Sequence, residues 1–83
     1  MKAKKPVPFG EALIEARVER GISQYRLAKL VNRDSRYISQ LENNKREPRL
    51  STIMMLASAL EMDTWELVKK VDVLLKISSE TTN

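Results

Sequence analysis

The sequence contains no cysteine and no histidine, and these two absences exclude several kinds of site. Without cysteine there is no disulfide, no thiolate nucleophile and no cysteine-based zinc site. Without histidine the chain lacks the commonest general base and a common metal ligand. The sequence also has no Gly-rich phosphate loop, no metal-ligand cluster and no nucleophile beside a plausible base. We therefore predict that the protein is not an enzyme and that it uses no cofactor or metal.

Long apolar runs are also absent, and none approaches the roughly 20 residues that span a membrane. The N-terminal stretch M-K-A-K-K-P-V-P lacks the apolar centre of a signal peptide. These absences predict a cytoplasmic protein without membrane contacts. The 83 residues suffice for one small domain with a thin core, since such a chain buries only about 60–65% of its unfolded surface.

The positive charge is concentrated in one part of the chain. Residues 24–49 contain seven basic and three acidic side chains, whereas the remaining residues contain eight of each. The whole net charge of +4 therefore lies in this stretch, and a local basic patch is typical of a protein that binds a polyanion. Residues 1–7 form a flexible, basic lead-in, which we expect to be solvated; an arm that touches phosphate is the alternative.

Two short helices are predicted within the basic stretch, at about residues 24–31 and 35–43. Ser23 and Asp34 precede them and fit N-cap positions, while Asn32 suits the left-handed conformation that ends a helix. The apolar positions of the first helix are Leu27, Ala28, Leu30 and Val31, which fall mainly on one face. In the second helix only Ile38 and Leu41 are plainly apolar.

The outer face of the second helix is polar in an uncommon way. A solvated helix normally carries opposite charges four residues apart. This one carries Arg36, Gln40 and Asn43 on one line, and these residue types can read the edges of bases. Taken alone, the helix fits an ordinary polar surface better, but the two-helix unit favours the base-reading interpretation.

The two-helix unit resembles the helix-turn-helix of the Cro and phage-repressor type, the Xre family. The matching residues in the unit and just after it are Ser23, Gln24, Leu27, Ala28, Val31, Ile38, Ser39, Leu41, Glu42 and Pro48. Gly10, Leu13, Arg17 and Gly21 match the first helix of the family, and Leu50, Ile53, Ala57 and Leu60 match the fourth. The resemblance covers about residues 8–69. Asn32 stands where the family usually has Gly, and Arg33 where it has an apolar residue, which predicts a less well packed turn with Arg33 free to reach a phosphate.

The resemblance implies an all-α, five-helix, lambda-repressor-like fold and a sequence-specific regulator of transcription, with repression the expected sense. The helix at 35–43 would enter the major groove of double-stranded DNA. The expected base-reading residues are Ser35, Arg36, Ser39 and Gln40. The expected phosphate contacts are Gln24, Arg26, Arg33, Tyr37, Asn43, Lys45, Arg46 and Arg49. Arg17 and Glu42 are expected to form a structural ion pair.

The remaining helices are predicted at about residues 9–20, 51–60 and 64–76. Ser51 is expected to cap the fourth helix, and Asp63 with Glu66 forms a capping-box pattern before the fifth. Residues 71–77 also fit a strand with alternating apolar positions, but the absence of a breaker before Ser78 favours a helix. We expect the domain to end at about residue 77 and residues 78–83 to be frayed.

The fifth helix carries more apolar surface than a small core requires, which is typical of an interface. We predict a homodimer that pairs through Trp65, Val71, Leu74, Leu75 and Ile77. The alternative function is an antitoxin or another protein-interaction module of the same fold, with a toxin or another protein as its partner.

Overall fold

The computed structural model describes residues 7–81, and within that range the chain forms five α-helices and no β-strand. The helices are α1 (Phe9–Glu19), α2 (Gln24–Leu30), α3 (Ser35–Glu42), α4 (Leu50–Ala59) and α5 (Thr64–Thr81). The predicted all-α fold is therefore confirmed. The flexible terminus that we expected lies, apart from Val7, outside the described residues. No helix in residues 7–81 is long and apolar enough to cross a membrane.

The predicted caps at the starts of α2 and α3 are present. The hydroxyl of Ser23 accepts a hydrogen bond from the backbone N–H of Arg26 at 3.0 Å, and the carboxylate of Asp34 accepts one from that of Tyr37 at 2.9 Å. The prediction of a Ser51 cap is wrong, because α4 begins one residue earlier, with Arg49 in the N-cap position and no side-chain bond. The first turn of α4 is exposed, so water can satisfy its free N–H groups.

Two positions after the last residue of each of the first four helices stands a residue with a positive φ angle, which is 70° at Gly21 and 58° at Asn32, Asn44 and Glu61. After each helix the N–H of the following residue bonds to a carbonyl in the last turn, as from Lys45 to Gln40 at 2.8 Å. These tight endings make the connections between helices short. The α2–α3 turn therefore needs only the residues from Val31 to Asp34.

The core lies between the five helices, where α2 packs against α3 and α4, α1 packs against α3 and α5, and α4 packs against α5. Its fully buried large side chains are Leu13, Leu27, Ile38, Leu41, Leu56, Leu60 and Leu67. Ala28 is also buried, and its small side chain lets α2 and α3 cross closely. The prediction that Leu30 belongs to the inner face is wrong, because it is 48% exposed. Leu30 lies about 110° around the helix from the centre of the stripe formed by Leu27, Ala28 and Val31.

The fifth helix is longer than predicted. It continues to Thr81 and includes residues 71–77, so the strand alternative for this segment is wrong. Residues 78–81 belong to the helix, while residues 82 and 83 lie outside the described range. No Gly or Pro interrupts the segment, and an ion pair between Asp72 and Lys76 at 3.0 Å supports the helix from its outer face. The helix packs against α1 and α4, whereas α3 packs against α1 and α2.

Candidate nucleic-acid interface

A buried ion pair fixes the end of α3 to α1. Glu42, the last residue of α3, is only 5% exposed. Arg17 donates to both of its carboxylate oxygens, from Nε at 2.5 Å and from Nη2 at 3.2 Å. The remaining Nη1 of Arg17 donates to the carbonyl of Ile22 at 2.8 Å, which ties in the loop before α2. The pair expected from the sequence is present, and it sets the direction of α3 relative to the rest of the domain.

Gln24 belongs to the same buried network, which the sequence analysis did not anticipate. Its amide Nε2 donates to Oε1 of Glu42 at 2.7 Å, so that the first turn of α2 is joined to the last residue of α3. Gln24 was expected to donate to a phosphate. Such a contact would have to use the remaining N–H of this amide, since the other already serves Glu42.

The N-terminus of α1 contacts the C-terminus of α3 directly. Gly10 lies at the contact, where an added Cβ would overlap the carbonyl oxygen of Glu42 and lie 2.7 Å from its carbonyl carbon. The amide N–H of Gly10 donates to Oδ1 of Asn44 at 2.8 Å, and Nδ2 of Asn44 donates to the carboxylate of Glu11 at 2.8 Å. Sequence reasoning missed the side-chain role of Asn44. The signal for the contact was a glycine inside a helical pattern, which often marks a close backbone approach.

The expected base-reading residues lie together on the outer side of α3. Arg36 is exposed, and Ser35, Ser39 and Gln40 are half-buried. Asn43, which was expected to contact a phosphate, folds back on its own helix. Its Nδ2 donates to the carbonyl of Ser39 at 2.9 Å and lies 3.3 Å from the Ser39 hydroxyl.

An arginine cluster surrounds the ring of Tyr37. The guanidinium carbon of Arg33 lies 3.6 Å from the ring centroid, and that of Arg46 lies 5.5 Å from it. Nε of Arg46 also donates to Oε1 of Gln40 at 2.8 Å. The turn is more closely packed than expected, because the guanidinium of Arg33 stacks on the ring of Tyr37. The side chain of Arg33 is still exposed, so its expected contact with a phosphate stays a prediction. These residues line a shallow hollow at the start of α3, with Arg36 at its edge.

The other expected phosphate contacts are exposed and carry unneutralised charge. Within residues 7–81 the ion pairs engage Arg17, Arg20, Lys70 and Lys76, and none of them uses Arg26, Lys45 or Arg49. Arg26 lies in α2, before α3 in the sequence, whereas Lys45 and Arg49 lie in the loop that follows α3. The described residues contain no group of acidic side chains that could hold a metal ion. The arrangement therefore offers a positive surface around the outer face of α3.

An exposed polar helix, set by a short turn after a capped helix and flanked by free cations, defines a helix-turn-helix domain that binds nucleic acid. The helix-turn-helix family model matches residues 13–64, and the chain belongs to this family, in its Xre type. The chain is accordingly a DNA-binding transcriptional regulator. A comparison with curated proteins found no match.

Several solved structures are similar to this chain. The restriction-modification controller protein C.AhdI from Aeromonas hydrophila is 39% identical, with a TM-score of 0.70, over 74% of this chain and 88% of that protein. An XRE-family-like protein from Pseudomonas syringae pv. tomato is 27% identical, with a TM-score of 0.69, over 80% of each chain. The clp gene regulator ClgR from Corynebacterium glutamicum is 17% identical and shares the fold, with a TM-score of 0.87 over 98% of this chain and 86% of that one.

Proposed function

We propose that the protein recognises a specific sequence of double-stranded DNA by placing α3 in the major groove and α2 across the sugar-phosphate backbone. The observation that carries this proposal is the outer face of α3, where Arg36 is exposed next to Ser35, Ser39 and Gln40. Since each base pair presents a distinct set of donors and acceptors in the major groove, a face with these side chains can discriminate among them. The similarity to a restriction-modification controller protein supports a regulatory role, and repression is the sense that we propose.

Arg36 is the main base-reading residue in this proposal. Its guanidinium is exposed and can donate two hydrogen bonds to the O6 and N7 atoms of a guanine. Gln40 is less available, because its Oε1 already accepts a bond from Arg46. To read an adenine, Oε1 of Gln40 would have to accept a second hydrogen bond, from the adenine amino group, beside the one from Arg46. We therefore expect Arg36 to contribute more to sequence discrimination than Gln40.

The basic residues around α3 supply the affinity that does not depend on sequence. The proposed phosphate contacts are the basic residues Arg26, Arg33, Lys45, Arg46 and Arg49 and the uncharged residues Gln24, Tyr37 and Asn43. Each phosphate that is neutralised should add roughly 0.9 to the magnitude of the slope of log affinity against log salt concentration. Affinity for random DNA should therefore fall steeply as salt increases.

The salt dependence can be tested by fluorescence anisotropy with a labelled random-sequence duplex. We expect Lys45→Ala to weaken binding to all sequences alike and to reduce the slope by about 0.9. Lys76→Ala is the control, because Lys76 is a lysine of α5 whose side chain is 71% exposed and whose charge is paired with Asp72. Absence of salt-dependent binding by the unchanged protein would refute DNA binding and favour the protein-interaction alternative.

We further propose that the protein acts as a homodimer that pairs through α5. One short recognition helix rarely discriminates one site within a genome, whereas two related by a two-fold axis read half-sites about 34 Å apart. The five residues expected at the interface do not share one face of α5. Val71 and Leu75 lie on the side towards Val68, while Ile77 lies about 160° around the helix from Leu75. Trp65, Leu74 and Ile77 instead line a groove between α1 and α5.

The side of α5 with Val68, Val71 and Leu75 is the better candidate for the interface. Val68 and Val71 line a groove with Ile53 and Pro48, and Asn44, Arg46 and Glu47 of the loop after α3 border the same groove. Pairing there would bring the loops of two copies near each other. The opposite groove is bordered by Glu15, Glu19 and other charged residues of α1 and α5, which are costly to bury.

A pair of matched substitutions tests this face, because Val68 and Val73 are each 44% exposed and lie on different sides of α5. We expect Val68→Glu to convert a dimer into a monomer in sedimentation equilibrium at micromolar concentration. Val73→Glu should leave the dimer intact. Dissociation by Val73→Glu alone would move the interface to the α1–α5 groove, and a monomeric unchanged protein that binds its operator one copy per site would refute the dimer.

A further inference from the structure

Asn44 holds two elements at once. Its backbone has a φ angle of 58° and ends α3, with its N–H bonded to the carbonyl of Leu41 at 3.1 Å. Its side chain binds α1, where Oδ1 accepts from Gly10 and Nδ2 donates to Glu11, both at 2.8 Å. The N–H of Gly10 lies in the first turn of α1, where it has no partner within the helix. Pro8, in the N-cap position of α1, supplies no side-chain cap. Asn44, which follows α3, therefore provides the side-chain cap for the first turn of α1.

The residues that follow Asn44 are the basic ones of the proposed phosphate clamp. The N–H of Lys45 bonds to the carbonyl of Gln40 at 2.8 Å, and Nε of Arg46 bonds to the Gln40 side chain at 2.8 Å. The start of the loop is thus attached to α3 by Lys45 and Arg46, and to α1 by Asn44. A binding group that is held in place before association loses less conformational freedom when it binds.

We propose that Asn44 is a positioning residue for DNA binding. It holds the loop that begins with Lys45 and Arg46 against α1, so that these two side chains are in place to contact phosphates. This inference rests on the proposed function, since it concerns how the phosphate contacts are presented. It predicts that the amide of Asn44 contributes to affinity without touching DNA. It also predicts that base preference is independent of Asn44, because α3 itself is set by the Arg17–Glu42 pair.

Replacement of Asn44 by glycine separates the side-chain role from the backbone role, because glycine tolerates the positive φ angle. The chain offers a matched control in Asn32, which has the same φ angle of 58° and the same position after a helix. The structure gives the Asn32 side chain no hydrogen bond within the described residues. Asn44→Gly and Asn32→Gly therefore make the same change in backbone freedom, and only the first removes the bonds to α1.

The test combines DNA binding with amide hydrogen exchange in the free protein, both well below the unfolding temperature. Asn44→Gly should weaken binding to random and selected duplexes by the same factor, about three- to ten-fold, with base preference unchanged. Asn32→Gly should remain within about two-fold of the unchanged protein. Exchange at the amides of Gly10 and Lys45 should accelerate in Asn44→Gly and not in Asn32→Gly.

Faster exchange at Gly10 with unchanged DNA affinity would make Asn44 a structural cap only, and it would overturn the proposal. An altered base preference would overturn it as well. If the unchanged protein fails to bind DNA, the proposed function fails, and exchange at Lys45 alone then decides whether Asn44 holds the loop. Should Asn44→Gly fail to fold, Glu11→Ala removes one of the two bonds to α1. We then expect faster exchange at the amide of Lys45, and unchanged exchange there would refute the proposal.

Discussion

Alanine at position 10 provides a quantitative test of how α1 supports α3. The added Cβ would overlap the carbonyl oxygen of Glu42 and lie 2.7 Å from its carbon and 2.8 Å from Oδ1 of Asn44. Two of these three atoms belong to the backbone of Glu42, so rotation of a side chain cannot relieve the overlap. The helices would have to separate, which costs up to about 3 kcal/mol for overpacking and about 1 kcal/mol for the Gly10–Asn44 hydrogen bond.

Alanine is favoured over glycine in a helix by about 1 kcal/mol, which offsets part of the cost of overpacking and of the lost hydrogen bond. We therefore expect Gly10→Ala to reduce the free energy of unfolding by about 3 kcal/mol. This is a large share of the roughly 4–12 kcal/mol that a domain of this length has in total. Urea denaturation monitored by circular dichroism would measure it. Gly21→Ala is the control, because Gly21 has a φ angle of 70° and open space around it, so only about 1–2 kcal/mol of backbone strain is expected. If Gly10→Ala were no more destabilising than Gly21→Ala, the contact between α1 and α3 would be refuted.

Two further predictions concern the ion pairs. Glu42→Gln should reduce the free energy of unfolding by about 3 kcal/mol, because it leaves the largely buried Arg17 charge without its partner; denaturation that is unchanged within error would contradict this. A hydrogen bond to Glu19, with a further bond to Glu15, raises the pKa of Lys70 despite partial burial. The ionised Lys70 should therefore stabilise the folded protein below the ordinary lysine pKa of about 10.4, and this stabilisation should be lost as pH rises through the higher pKa of the folded state. Unfolding of the unchanged protein and of Lys70→Met, compared from neutral to strongly alkaline pH, should therefore converge, and a constant difference would exclude this role.

The parts of the fold that could be predicted from the sequence are those that depend on local signals. Ser23 and Asp34 cap the helices that follow them, and Asn32 and Asn44 take the left-handed conformation after a helix. The exposed position of Arg36 on α3 also follows from helical spacing, since the buried residues of that helix occupy the opposite face.

The features that escaped prediction depend on contacts between residues distant in the sequence. Gln24 has the pattern of an exposed residue at the start of a helix, yet Glu42 draws its amide inward because a buried carboxylate needs donors. Arg33 could be placed in the turn, but its stacking on Tyr37 depends on the path of the chain through Asp34. The bond from Asn44 to Gly10 joins residues 34 positions apart, and no periodicity reports such a contact.

The central claim, that α3 reads base sequence, is tested most directly by selecting bound duplexes from a random DNA pool with the unchanged protein and with Arg36→Ala. We predict that the unchanged protein selects a motif with two-fold symmetry and a guanine in each half-site. Arg36→Ala should lose the preference at that one position, at a cost of about 1–3 kcal/mol, and keep the others. If Arg36→Ala selected the same motif with undiminished preference at every position, the assignment of Arg36 would be contradicted. If the unchanged protein enriched no motif, sequence-specific recognition by α3 would be contradicted.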